Sequence, residues 1–314
     1  MSEPAMFPII LSSEQLRCEV LPEFGGKIRS LKWLANGVEL LQPPLGPYRR
    51  QNEHEGVAAS FAQSDAGGWD ECLPSVAGCQ IDGVSIPDHG DIWRSPSQVL
   101  HADDTNVKLV VRTASLPFAF TRTLYLSEAS LKMHYAVENI GSQPIPYLWS
   151  AHPLFSVDAG DTLRLPDEVR RLRVESSKHQ RLGPSGTMQT WPIVHTHDGI
   201  TVNISTAQSQ SADVGDKVFA RLSREGWAEI VRPQAGIALR MEFDPKQIPY
   251  LGLWLCYGGW PEDSKLTARQ QCIALEPATA DCDALSDAIK MRRARILAPQ
   301  QQHDWKITLH VKSV

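Results

Sequence analysis

What this chain of 314 residues lacks narrows its possibilities quickly. It has no lysine–arginine block, and its formal net charge is −5, so a nucleic acid or an anionic membrane surface would find nothing to bind. The longest apolar stretch, Ile248 to Trp260, is short and broken by Gly252, Gly258 and Gly259, so it cannot span a bilayer. Met1 to Ile10 has no basic flank leading into a long apolar core, which is the pattern of an export signal. The six cysteines, at 18, 72, 79, 256, 272 and 282, form no C-x-x-C pair, which argues against a zinc or disulfide framework and for reduced thiols. Together these absences predict a soluble, cytoplasmic protein without a nucleic-acid or membrane partner.

Cofactor signatures are missing as well. There is no G-x-G-x-x-G and no G-x-x-x-x-G-K-[ST] to cradle nucleotide phosphates, no H-E-x-x-H for zinc, and no G-x-S-x-G for a serine nucleophile. His195-Thr196-His197 has no third imidazole or acid at a metal-binding spacing and reads as an exposed loop. The expectation is a protein with no cofactor and no metal. Helical patterning is scarce too: only Cys282 to Leu297 reads as helix, with Leu285, Ile289 and Ile296 able to share a face and Asp281 or Asp283 able to cap it.

What is present is alternation of period two. Leu131, Met133, Tyr135 and Val137 alternate with mostly polar neighbours, as do Ile237, Leu239, Met241 and Phe243, and Trp305, Ile307, Leu309 and Val311. Such segments are half-buried antiparallel strands. Asn36-Gly37 between two apolar runs is a hairpin signal, since both residues tolerate positive φ. Many strands with almost no helix predict an all-β sandwich or barrel. No linker divides the chain, so residues 1–314 are read as one domain, with Pro43 to Ser64 as a long loop of the kind that often carries function.

Two segments point to chemistry. Ile273-Ala274-Leu275-Glu276-Pro277 puts a carboxylate in a run that should be buried, and proline there cannot extend a ladder. Tyr147-Leu148-Trp149-Ser150-Ala151-His152-Pro153 sets one imidazole in an aromatic run, likewise stopped by proline. One acid and one imidazole, each fixed at a strand end, are the minimum for paired proton transfer. Around them stand Gly67-Gly68-Trp69, Asp88-His89-Gly90-Asp91-Ile92-Trp93-Arg94, Leu251-Gly252-Leu253-Trp254 and Tyr257-Gly258-Gly259-Trp260. Aromatic faces beside acids and imidazoles suit a sugar, whose C–H face stacks while its hydroxyls need polar partners.

These segments, in this order along most of the chain, resemble the aldose 1-epimerase (galactose mutarotase-like) family. The resemblance rests on Phe24-Gly25-Gly26-Lys27, Asp88-His89-Gly90, Ala151-His152-Pro153-Leu154-Phe155 and Leu275-Glu276-Pro277, with a closing helix near 282–293, Leu297-Ala298-Pro299 and a last strand. It implies an all-β supersandwich of mostly antiparallel strands, and a monosaccharide as partner. It also implies interconversion of α and β anomers, with Glu276 as general base and protonated His152 as general acid. Their reference pKa values of roughly 4.3 and 6.5 bracket the working range. His89 would hold a hydroxyl or the ring oxygen, with Arg94 and Trp254 also on the substrate. An Asp between the His-Pro segment and Glu276 would bind the sugar; Asp216 is the candidate and Asp198 its rival.

The early loop departs from the family, with Arg49-Arg50 and Gln51-Asn52 where an Asn-Arg pair is expected. Arg94 lies five residues after His89 with Asp91 between, which departs from the hexose-6-phosphate branch. Three alternatives stay open: a mutarotase for hexose 6-phosphates, a non-catalytic sugar-binding or sensing protein on the same fold, and a polysaccharide-active enzyme, which would need a second carboxylate.

Overall fold

The computed structural model of the chain describes residues 7–48, 60–262 and 268–314. Arg49, Arg50, Gln51 and Asn52 lie outside these residues. Among the described residues the architecture is built on two large antiparallel sheets. The larger has eleven strands, numbered here along the chain: β1 (Ile9–Ser12), β2 (Leu16–Leu21), β3 (Lys27–Trp33), β4 (Val38–Glu39), β5 (Trp69–Cys72), β6 (Ser150–Ser156), β7 (Arg171–Ser177), β8 (Met188–Thr190), β9 (Val214–Arg221), β10 (Tyr250–Tyr257) and β11 (Gln271–Ala278). Their order in space is β1-β2-β3-β5-β6-β11-β10-β9-β7-β8, with β4 paired to β3. The second sheet has eight strands, among them Ser130–Asn139, Ile237–Phe243 and Gln302–Ser313.

The alternating segments are strands, as their period predicts. Leu131, Met133, Tyr135 and Val137 are buried while Lys132 and His134 are exposed, so one face of the smaller sheet is wet. Its dry face packs on the larger sheet, where Trp69, Ala151, Phe155, Val218, Leu253, Ile273 and Leu275 join the same core. Within that core Glu71 accepts bonds from Arg122 (2.7 Å), the Tyr135 hydroxyl (3.1 Å) and the Trp149 indole N–H (3.1 Å). Burial pushes the Glu71 carboxyl up to about 7, against the pull of Arg122.

The central strands of the larger sheet are covered on both sides, so their residues divide between two buried faces. In β11, Ile273 and Leu275 face the core and Ala274 and Glu276 face away; in β9, Val218 and Ala220 face the core and Lys217 and Phe219 face away. The second face carries the functional groups.

Three local expectations need correction. The helix covers Leu285–Lys290 alone; Ile289 and Ile296 are 37% and 65% exposed, so they share no buried face, and Ile296 belongs to the strand Arg295–Leu297. Its N-cap is Ala284, and neither Asp281 nor Asp283 caps it. The hairpin at Asn36-Gly37 is present, but Trp33 pairs with Val38, so the turn takes four residues, and of the two expected positions only Gly37 adopts positive φ. Pro153 and Pro277 do not end their strands; each lies inside one, in β6 and β11. The missing donors act across the ladder instead. β6 and β11 pair at Ser150↔Ala278 and again at Leu154↔Ala274, skipping the positions between.

Candidate active site

That skipped stretch of ladder holds the two residues singled out in the sequence. In the register that joins Ser150 to Ala278 and Leu154 to Ala274, His152 falls opposite Glu276. On its other side His152 pairs with Asp70 of β5, and Glu276 pairs with Gly252 of β10. Asp70, His152, Glu276 and Gly252 therefore form one row across four strands. Gly252 makes room for the acid: a Cβ there would lie 3.3 Å from the Glu276 Cβ, 3.4 Å from its Oε2 and 3.0 Å from the Phe219 ring.

Above the row is a cavity of ≈ 190 Å³, a volume on the order of six waters in the liquid and so the scale of one sugar ring. Its floor is His152, Glu276, Lys217 and Trp254 from the sheet, and its walls include Phe61, His89, Trp260 and Asp283 from the connecting segments. Phe61, at the described end of the long early loop, stacks on His89 at 4.0 Å and meets His152 edge-on at 5.2 Å. The His89 and His152 rings stand perpendicular, 4.9 Å apart. Trp254 is fixed by its indole N–H donating to Gln270 Oε1 at 2.9 Å.

His89 reaches the cavity on a tight turn. Its φ is +58°, and the next residue must be glycine, since a Cβ on Gly90 would meet the Leu73 carbonyl oxygen at 2.3 Å. Asp88 Oδ1 lies 2.8 Å from His89 Nδ1, and Asp88 Oδ2 accepts the Phe61 backbone N–H at 3.0 Å. Burial works to raise the Asp88 carboxyl, but these bonds outweigh it and hold it below its ordinary range. The geometry suits an imidazole steadied by a carboxylate.

His152 is 6% exposed and its Nδ1 has no hydrogen-bond partner among the described residues. Burial, reinforced by His89, Lys217 and Lys27, pushes its pKa well down. That environment favours the neutral imidazole in the free site. Lys27 belongs to a buried cluster beside the row: it pairs with Asp65 and, at 2.8 Å, with Asp70. Burial raises Asp70 to about 6 even with the Lys27 charge opposing it.

Glu276 is fully buried, with Oε2 on the Lys217 ammonium and Oε1 without a partner among the described residues. The same ammonium lies 3.7 Å from Asp283 Oδ1. Burial raises the Asp283 carboxyl to about 6, with Lys217 opposing. Burial alone would lower Lys217, but Asp283 and Glu276 outweigh it and hold its pKa up.

Of the residues expected here, His152, Glu276, His89 and Trp254 line the cavity. Asp216 does not. It shares the core-facing parity of Val218 and Ala220, and its carboxylate is held by Arg181 and by the Ser177 hydroxyl at 2.6 Å. Asp198 is exposed and held by Thr196. Arg94 sits in the turn Ile92–Arg94 and is not among the lining residues. Lys217, Asp283 and Phe61 received no role at this site from the sequence. A strand buried on both faces, as β9 is, gives no alternation to tell Asp216 from Lys217, and Asp283 resembled a helix cap. The chain shows no disulfide and no cluster of three metal-ligating side chains among its described residues. No described helix is long and apolar enough to cross a membrane.

No family model and no curated protein matches the chain. Solved structures do. A galactose mutarotase related enzyme from Lactobacillus acidophilus superposes with a TM-score of 0.69 at 11% identity, over 98% of each chain. A galactose mutarotase-like protein from Lactobacillus casei gives 0.65 at 16% identity, over 98% of this chain and 100% of the other. An aldose epimerase homologue from C. elegans gives 0.65 at 14% identity, over 99% of this chain and 100% of the other. The fold is the galactose mutarotase-like all-β fold.

Proposed function

We propose that this protein is a cofactor-independent mutarotase that interconverts the α and β anomers of a free aldose, with residues 1–314 acting as one domain. The observation that carries the reading is the register opposition of His152 and Glu276 under one small cavity, each with a polar atom that has no partner among the described residues. The anomeric carbon bears both O1 and the ring oxygen O5, so two proton transfers must be made about a single atom. Glu276 takes the proton of O1–H through its open oxygen. The C1–O5 bond breaks as O5 takes a proton from His152 in its imidazolium form. The aldehyde turns about C1–C2, and reclosure on the other face returns O1 its proton from Glu276 and His152 its proton from O5. Nothing is oxidised, and no group leaves.

The remaining walls suit a sugar. Trp254 and Trp260 offer apolar faces to ring C–H groups, and His89, held by Asp88, offers a nitrogen to a hydroxyl. Charge favours an unphosphorylated substrate. Among the described lining residues, Asp88, Glu276 and Asp283 face a single lysine, and none is an arginine. Against these described residues a phosphate dianion would meet repulsion rather than a clamp.

Two-dimensional NMR exchange between α and β anomers tests the reading over a panel of free aldoses and their 6-phosphates. At least one free aldose should exchange faster than its buffer control, and its 6-phosphate should respond less. Saturable binding of a sugar without accelerated exchange would instead favour a sugar-binding protein on this fold.

A further inference from the structure

Lys217 is a fixed charge that the acid–base pair alone does not explain. It is 4% exposed, and its ammonium faces two carboxylates, Glu276 of β11 and Asp283 of the segment before the helix. Phe219, two residues along β9, lies under the ammonium at 5.4 Å and closes one side of it to water. Other titratable groups face Glu276 from each neighbouring element: His152 from β6, the Cys72 thiol from β5, His89 from its turn, and Asp283. His152 is neutral, the Cys72 thiol is protonated because burial raises its pKa well above the usual value, and Asp283 is an acid. Lys217 is therefore the one permanent cation that meets the Glu276 carboxylate among the described residues.

We infer that Lys217 is a positioning residue for the base: its ammonium holds Glu276 ionised in a site that would otherwise protonate it, and fixes Oε2 so that Oε1 faces the cavity. This rests on the reading of Glu276 as general base. A carboxylate as buried as this one keeps its proton to higher pH when no cation is near. A protonated Glu276 cannot accept from O1–H, so loss of the lysine charge removes activity from the acid side. Asp283 sharpens the arrangement. It shares the same ammonium and titrates at about 6, so it takes up a proton before the medium becomes strongly acidic. The Lys217 charge then falls to Glu276 alone.

The test uses the full chain and its variants K217M, K217Q and K217R. Two readouts run side by side: the pH profile of anomer exchange, and NMR titration of carboxyl-13C glutamate, with the Glu276 signal identified by its loss in E276Q. K217M and K217Q should each move the acidic limb of exchange upward by at least one pH unit, a tenfold change in proton affinity. The Glu276 signal should move with it, while K217R stays near wild type. K217Q keeps a donor and changes volume little, so it serves if K217M does not fold. An unmoved Glu276 titration in a folded K217M or K217Q overturns the inference. Failure of the wild type to exchange any aldose, with the Glu276 signal still moving in K217Q, would overturn the mutarotase reading and leave the charge-setting role of Lys217 standing.

Discussion

At the scale of residues, the proposed chemistry turns on two side chains whose environments push in different directions. Glu276 has a permanent cation on one oxygen, whereas His152 is buried among positive neighbours that keep it neutral. A group with a lowered pKa gains its proton only as pH falls. If His152 is the acid, exchange should therefore climb as pH is lowered from 8 toward 6, because the imidazolium fraction rises in that direction. A pH profile of kcat/KM on a responsive aldose checks this, and H152Q should lose the climb. A rate that is flat or rises with pH in the wild type would move the acid role to His89, which already has the carboxylate of Asp88 beside it. The sequence made His152 and Glu276 visible because each is a polar residue in an apolar run. It hid Lys217, which sits in a strand buried on both faces beside an equally buried Asp216.

At the scale of elements, the site is a defect in one ladder supported by a gap in the next. Pro153 and Pro277 remove donors where β6 meets β11, and Gly252 of β10 leaves the space that Glu276 fills. Both prolines were legible in the sequence, but as strand ends. A strand residue's N–H points to one neighbour only, so a proline can sit inside a strand where that neighbour is not paired. G252A tests the gap. The new methyl would press on Glu276 and Phe219, costing about 1–3 kcal/mol of stability by overpacking. Exchange should fall further, by up to about 10²-fold, because Glu276 is displaced from its pairing with Lys217. Thermal melts and exchange rates of the variant separate the two effects; full activity in G252A would mean the contact is not needed.

At the scale of the whole molecule, period-two patterning made the sheets legible, and the described strands at Ser130–Asn139, Ile237–Phe243 and Gln302–Ser313 follow it closely. Strand order was not legible, because β5, β6 and β11 are neighbours in space but far apart along the chain. Pairing of such distant segments depends on long-range packing that local pattern does not encode. The buried Glu71–Arg122 pair, with Tyr135 and Trp149 as further donors, ties β5 to the strand Phe118–Ser127 of the opposite sheet. Removing one partner of a buried pair leaves the other charge uncompensated, so E71A should destabilise the protein by about 3–5 kcal/mol. Urea unfolding measures this, and a loss under about 1 kcal/mol would mean water or a neighbour replaces the carboxylate.

The central claim is that Glu276 is the base, and E276Q tests it most directly, since the amide keeps the shape of the side chain and cannot accept the proton. Sugar binding and folding should persist while the NMR-measured rate of anomer exchange drops about 10²–10⁴-fold. Exchange within a few-fold of wild type in a folded E276Q protein would contradict it.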